Sequence, residues 1–279
     1  MKTFLMCVGQ KAGTTWLWYY LRKNPKIDLG FKKEYHVWSS ATIPEYAFLK
    51  TVVEEKISKK AGRNYSPDMK KIVDKDRILQ LSFMNDHEKY FDYFTDKLQS
   101  VDITGDFTPE MSGLDVSTLN YIKARFHNVG INTRALFMLR DPVDRLQSMV
   151  RMKMIIEDIS KPSYHTELTM MERVSRSKYY HLTGGYDTLI PKFDYIFKQD
   201  VYYGFYENLF TDHSTKQITD FLGVSHHQAD YNFNPKPSKT DNELLPEDRK
   251  YFESLYKPIY DYTADRFPQV KNLWTYYQK

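Results

Sequence analysis

Three observations predict an α/β fold with a central parallel sheet and helices on both faces. Short apolar runs of strand length, Phe4–Val8, Val101–Thr104, Arg134–Leu139 and Val201–Phe205, are separated by segments whose apolar residues recur at helical spacing. A parallel sheet covered on both faces reads this way. Loops at Gly9, Gly105 and Arg140 follow three of these runs, which puts them at the carboxyl ends of strands, where such sheets hold ligands.

The chain opens on the strand Phe4–Val8 and a glycine-punctuated turn from Gly9 to Thr14. Thr14 or Thr15 caps a helix bearing Trp16, Leu17, Tyr20 and Leu21. Asn24-Pro-Lys26 breaks that pattern, Ile27–Phe31 reads as a short second strand, and Lys32–Trp38 follows it. A helix is expected from Ile43 to about Lys60, with Pro44 in its first turn and Gly62 past its end. Residues 63–78 read as a polar loop with one short helix, and Asp86–Leu98 as a helix with Tyr90, Phe91, Phe94 and Leu98 on one face. Beyond the strand Val101–Thr104, a helix spans Val116 to about His127 and ends at Gly130. Pro142 opens a helix that runs through Met149 and Ile156, and 158–165 is a loop. Helices follow at about 166–181, ended by Gly184-Gly185, and at about 186–199. One near 213–222 ends at Gly223, Asn232–Asp241 is a Pro- and Lys-bearing loop, and Pro246 opens a last helix to about Arg266. Without repeats or long linkers, residues 1–279 read as a single domain with helical insertions at about 39–100 and 155–200.

Composition narrows the function. With 41% hydrophobic and 27% charged residues the chain is ordinary for a globular protein. A net charge of +4 suits an anionic ligand but is too small to argue for nucleic acid as a partner. The single cysteine, Cys7, allows no intrachain disulfide, so a reducing, cytoplasmic setting is expected. No run approaches the roughly 20 apolar residues that span a bilayer. The 23 tyrosines fill core and surface, with some available to a sugar-stacking cleft.

Three constellations carry chemistry. A strand, a glycine loop and a helix N-terminus converge at Gly9-Gln-Lys-Ala-Gly-Thr-Thr15, where backbone N–H groups, the helix dipole and Lys11 favour an anion. It is not a Walker A loop, because the lysine precedes the second glycine, and it is not a dinucleotide fingerprint. Alone it is equally a tight turn. In Arg140-Asp-Pro-Val-Asp-Arg-Leu-Gln-Ser-Met-Val-Arg151, helical spacing groups Arg145, Ser148 and Arg151 as a donor-rich face near Arg140, suited to a second phosphate. The same residues also fit ion pairs and a helix cap. In an extended Lys32–Trp38, residues Lys32, Glu34, His36 and Trp38 point to one side, and a carboxylate beside an imidazole could take a proton from a nucleophile. The plain alternative is a solvated charge run.

Together these segments resemble one family. Lys11-Ala-Gly-Thr-Thr-Trp16 looks like the 5′-phosphosulfate loop of sulfotransferases that use 3′-phosphoadenosine 5′-phosphosulfate (PAPS). Arg140-Asp-Pro-Val-Asp-Arg145 with Ser148 resembles their 3′-phosphate motif. Lys33-Glu-Tyr-His-Val-Trp38 is similar to the Lys-Glu-x-His-Phe-Phe segment of the glycan (heparan sulfate-type) branch, and Gly105-Asp-Phe-Thr-Pro-Glu110 resembles that branch's Glu-Lys-Thr-Pro. Tyr206-Glu-Asn-Leu209 is a weaker match. Asp106-Phe107 stands where the branch has Glu-Lys, and no cysteine-tethered loop closes the chain, which leaves the acceptor open.

The resemblance implies a P-loop-like three-layer fold and a metal-independent sulfotransferase that takes PAPS and releases adenosine 3′,5′-bisphosphate (PAP). Lys11, Ala12, Gly13, Thr14, Thr15 and Trp16 would hold the 5′-phosphosulfate, with Lys11 at the breaking bond. Arg140 and Ser148 would hold the 3′-phosphate, and Lys236, Ser238 or Lys239 would approach the donor from the late loop. Glu34 would deprotonate a hydroxyl or amine, most simply on a carbohydrate or small alcohol. His36 would orient it or act as the base itself. A magnesium-dependent P-loop kinase or NTPase, and a non-catalytic module binding anionic glycans or nucleic acid, are the rival readings.

Overall fold

The computed structural model describes residues 2–61, 67–159, 162–233 and 242–277, with the backbone alone for 59–61 and 67–74. Four parallel strands, β1 (Thr3–Val8), β2 (Ile103–Asp106), β3 (Asn132–Leu139) and β4 (Val201–Phe205), form the sheet in the order β2-β1-β3-β4, and a parallel sheet flanked by helices is what the sequence predicts. By internal packing the chain divides into two compact units, Met1–Val8 with Trp18–Leu136 and Ile196–Val201, and Gly9–Leu17 with Phe137–Tyr195 and Tyr202–Lys279.

In the first unit, β1 (Thr3–Val8) is buried at every position. Helix α1 (Thr14–Leu21) enters this unit at Trp18. The predicted strand Ile27–Phe31 is reduced to a single bridge between Ile27 and Ile103, because Gly30 turns the chain with φ 76° and an added Cβ there would meet Tyr35 Oη at 2.1 Å. Residues Lys32–Trp38 are not one extended run either: His36 has φ 56° and begins α2 (Val37–Thr42), so Trp38 is helical. The helix expected from Ile43 opens as a 3₁₀ turn, Pro44–Tyr46, before α3 (Phe48–Ala61).

The clearest departure is α4 (Pro67–Asn85), which replaces most of the predicted loop at 63–78. Its last turns bury Gln80, Phe83 and Met84, an anchoring that the polar first half gives no sign of. Helix α5 (His87–Lys97) is capped by the Asp86 side chain and buries Tyr90, Phe91 and Phe94. Strand β2 (Ile103–Asp106) starts two residues later than predicted, with Thr3 opposite Ile103 and Met6 opposite Asp106. Asp115 caps α6 (Val116–His127), and β3 (Asn132–Leu139) follows.

In the second unit, Asp141 caps α7 (Pro142–Ile156) by accepting from the N–H groups of Val143 and Asp144. The helix predicted at 166–181 is two, α8 (Tyr164–Ser175) and α9 (Lys178–Leu182), because Ser177 caps a new start. Helix α10 (Tyr186–Phe197) leads to β4 (Val201–Phe205), α11 (Tyr206–Leu209) and α12 (Asp212–Leu222), which ends at Gly223 with φ 72°. The last predicted helix also divides, into α13 (Pro246–Leu255) and α14 (Lys257–Arg266), with Pro258 in the first turn of the second; α15 (Val270–Leu273) closes the series. Among the described residues no helix is long and apolar enough to cross a membrane.

Candidate active site

The second unit contains the glycine loop. Gly9, Lys11 and Gly13 have φ values of 110°, 63° and 81°, so left-handed positions alternate along the turn. Backbone of this kind gathers successive N–H groups into an anion-binding concavity. The glycines are required by contact as well as by conformation. A Cβ on Gly9 would lie 2.0 Å from the Met138 carbonyl oxygen, and one on Gly13 would lie 2.5 Å from Leu209 Cδ2. Helix α1 then starts at Thr14, with Leu17 N–H donating to the Gly13 carbonyl at 3.1 Å. The N–H groups of such a first turn have no intrahelical acceptor.

Arg140, between β3 and α7, is fixed onto this loop. Its Nη1 donates to the Lys11 carbonyl at 3.0 Å, and its guanidinium lies 4.0 Å from the centre of the Tyr206 ring. Its Nε is buried and has no hydrogen-bond partner among the described residues. The alternating left-handed backbone and the guanidinium fixed beside it suit the anionic groups of a phosphorylated nucleotide. Ser148, half-buried on α7, is two turns from the start of that helix.

The rest of the expected donor-rich face does not form. Arg145 is 1% exposed, packs 3.7 Å from the Tyr180 ring centre and donates to the Tyr180 carbonyl. Arg151 pairs with Glu167 at 2.8 Å and donates to the Asn242 carbonyl. Both arginines are structural, since i,i+3 and i,i+4 spacing sets a helical face but not which neighbours cover it. Trp16 is likewise packed, stacked on Tyr231 with ring centres 6.1 Å apart and donating to the Asp230 carbonyl. Lys236, Ser238 and Lys239 lie outside the described residues.

Two carboxylates lie next to Arg140: Asp141, for which the sequence offers ion pairs and a helix cap, both of which form, and Glu207, which the sequence does not single out. Glu207 accepts the Asp141 N–H at 2.8 Å, and burial pushes its carboxyl up to about 7. Asp141 is pushed up to about 6 by burial and by Asp144, against the pull of Arg249. The weak match at Tyr206-Glu-Asn-Leu209 was the only trace of Glu207.

The first unit contains Glu34 and His36. Glu34 pairs with Lys33, and its Oε2 lies 3.5 Å from His36 Nε2. Burial alone would raise its carboxyl, but Lys33 and His36 outweigh it and hold Glu34 well below the usual carboxylate range. His36 moves the other way: burial disfavours its charge, yet Glu34, Glu110 and Asp106 raise it. The segment is stitched to the turn after β2. Tyr35 and His36 N–H groups donate to Thr108 Oγ1 at 2.9 and 3.2 Å, and that hydroxyl donates to Asp106 at 2.6 Å. Lys33 approaches the Phe107 carbonyl at 3.5 Å, bringing an ammonium to the segment that lacks its own lysine. Gln80 on α4 accepts from Lys32 and donates to the Tyr35 carbonyl at 2.8 Å.

Comparison with known proteins places the fold. No protein-family model and no curated protein sequence matches the chain. Among solved structures, a sulfotransferase from Alicyclobacillus acidocaldarius aligns over 95% of this chain and 95% of its own, with a TM-score of 0.57 and 20% identity. The sulfotransferase domain from the curacin biosynthetic pathway aligns over 92% of this chain and 98% of its own, at a TM-score of 0.48 and 12% identity. That of the Synechococcus olefin synthase aligns over 92% and 94%, at 0.46 and 11%. The first of these likenesses shows that the chain has the sulfotransferase fold.

Proposed function

We propose that this protein is a PAPS-dependent sulfotransferase of the glycan type, acting in the cytoplasm on a hydroxyl or amine, most simply of a carbohydrate. The observation that carries the reading is the left-handed Gly9–Gly13 loop bonded through the Lys11 carbonyl to Arg140, whose Nε is buried and unpaired. The sulfotransferase fold supports it.

When bound, PAPS supplies an activated sulfuryl group on its 5′-phosphate. Lys11, the Thr14 and Thr15 hydroxyls and the backbone from Ala12 to Trp16 hold the 5′ end, and Lys11 stabilises negative charge developing on the leaving phosphate. Arg140 and Ser148 recognise the 3′-phosphate. Glu34 accepts the proton of the attacking hydroxyl or amine, and His36 orients the Glu34 carboxylate. In-line transfer of this kind asks the protein mainly for positioning and charge stabilisation, as phosphoryl transfer does.

The test is transfer of radiolabelled sulfate from PAPS to a panel of glycans and small alcohols, with and without magnesium. Labelled product in both conditions supports the reading. ATP-dependent phosphorylation that requires magnesium would replace it with a kinase, and binding without turnover across the panel would replace it with a glycan-binding module.

A further inference from the structure

His36 has a carboxylate on each side. Nε2 lies 3.5 Å from Glu34 Oε2, and Nδ1 lies 3.6 Å from Glu110 Oε2. We propose that Glu110 is the positioning residue of the transfer reaction: it holds the imidazole by Nδ1 and so commits Nε2 to Glu34. This rests on the roles given to Glu34 and His36 above.

A carboxylate only accepts, so with one facing each ring nitrogen both Nδ1 and Nε2 must carry a proton, and the arrangement calls for the imidazolium. Glu110 is 7% exposed, in the Pro109–Gly113 turn after β2. A carboxylate buried to this depth needs a charged or donating partner, and His36 is the one that opposes the effect of burial most. The spacing is fixed from both sides. Thr108, two residues before Glu110, takes the His36 N–H on its hydroxyl and is itself held by Asp106. The left-handed φ of 56° at His36 is uncommon for a residue with a Cβ, and the side chain makes no capping bond to α2. A strained backbone combined with a side chain not used locally points to work elsewhere.

Glu34 and Lys33 from its own segment, Asp106 from β2 and Glu110 from the following turn are the ionisable groups around the ring; α4 contributes the uncharged Gln80 beside Tyr35. In the reaction the acceptor proton passes to Glu34, which loses its charge and with it much of its hold on the imidazolium. Burial raises the Glu110 carboxyl despite the opposing pull of His36; in the step its part is to keep the ring in place from the Nδ1 side until Glu34 is recharged.

The experiment follows Glu110→Gln in the full-length protein by two readouts. In an NMR titration, with the His36 resonance assigned through His36→Asn, Glu110→Gln lowers the midpoint of His36 by about one pH unit, the scale of losing one nearby opposite charge. In the transfer assay it lowers kcat about tenfold, displaces the pH profile in the same direction, leaves the KM for PAPS unchanged, and adds nothing in the His36→Asn background. An unmoved His36 titration, or equal losses from Glu110→Gln in both backgrounds, overturns the proposal. Wild-type protein that transfers no sulfate overturns the reading of function instead, whereas wild-type transfer unaffected by Glu110→Gln overturns the role of Glu110 alone.

Discussion

Arg140 donates from Nη1 to the Lys11 carbonyl oxygen over 3.0 Å. The residue that ends the most apolar strand thus fixes the loop that follows the first strand. In the function proposed above, this bond would couple recognition of the 3′-phosphate to the shape of the loop that holds the 5′ end. Tyr206 supports the same guanidinium from one face, so Arg140 is held before any ligand arrives, which lowers the ordering cost of binding.

The loop glycines should differ in what they tolerate. Gly9→Ala forces a Cβ to 2.0 Å from the Met138 carbonyl oxygen, against backbone that cannot yield, and is expected to cost at least about 3 kcal/mol. Gly13→Ala meets the end of the Leu209 side chain, which can rotate, and leaves mainly the left-handed penalty of about 1–2 kcal/mol. Thermal unfolding measures both. A larger loss for Gly13→Ala would contradict the packing described.

Glu34→Ala should lower kcat by about 10²–10⁴, the usual worth of a general base, while PAP binding is retained. Rapid-quench kinetics with a working acceptor and calorimetry with PAP separate the two effects. Wild-type turnover would remove Glu34 from the chemistry.

Much of this arrangement was legible from local pattern. The strands β1 and β3 are apolar runs with glycine or proline close to their ends, β4 is a short Val-, Tyr- and Phe-bearing run, and the helix starts at Asp86, Asp115 and Asp141 carry their own caps. What local pattern lacks is the identity of the neighbour. Arg145 and Arg151 sit at the spacing of a binding face, yet the Tyr180 ring and Glu167 occupy them. Residues 63–78 are largely polar and poorly patterned in sequence, and α4 buries Gln80, Phe83 and Met84 toward its far end. The Glu34–His36 pair was visible as a spacing of two, but its geometry depends on a left-handed turn at His36 rather than on an extended strand.

Stability should fall with pH through the range set by the carboxylates behind Arg140. Glu207 moves from an ordinary value of 4.5 to about 7, so the folded state holds its proton more tightly than the unfolded chain does. Folding is therefore favoured at low pH, and stability declines from the unfolded value up to about 7, a change of roughly 3 kcal/mol. Asp141, raised to about 6, acts with the same sign over the lower part of that window. Glu207→Gln should remove the decline above pH 6, so that the melting temperature changes less between pH 6 and 8 than in wild type. An unchanged or steeper decline would show that Glu207 is not the group responsible.

The central claim is that the site selects a 3′-phosphorylated adenine nucleotide, and calorimetric titration with PAP, 5′-AMP and magnesium-ATP tests it most directly. PAP is expected to bind without magnesium and roughly 100-fold more tightly than 5′-AMP, with Arg140→Ala erasing most of the difference. Equal affinity for PAP and 5′-AMP, or tightest binding of ATP in the presence of magnesium, would contradict it.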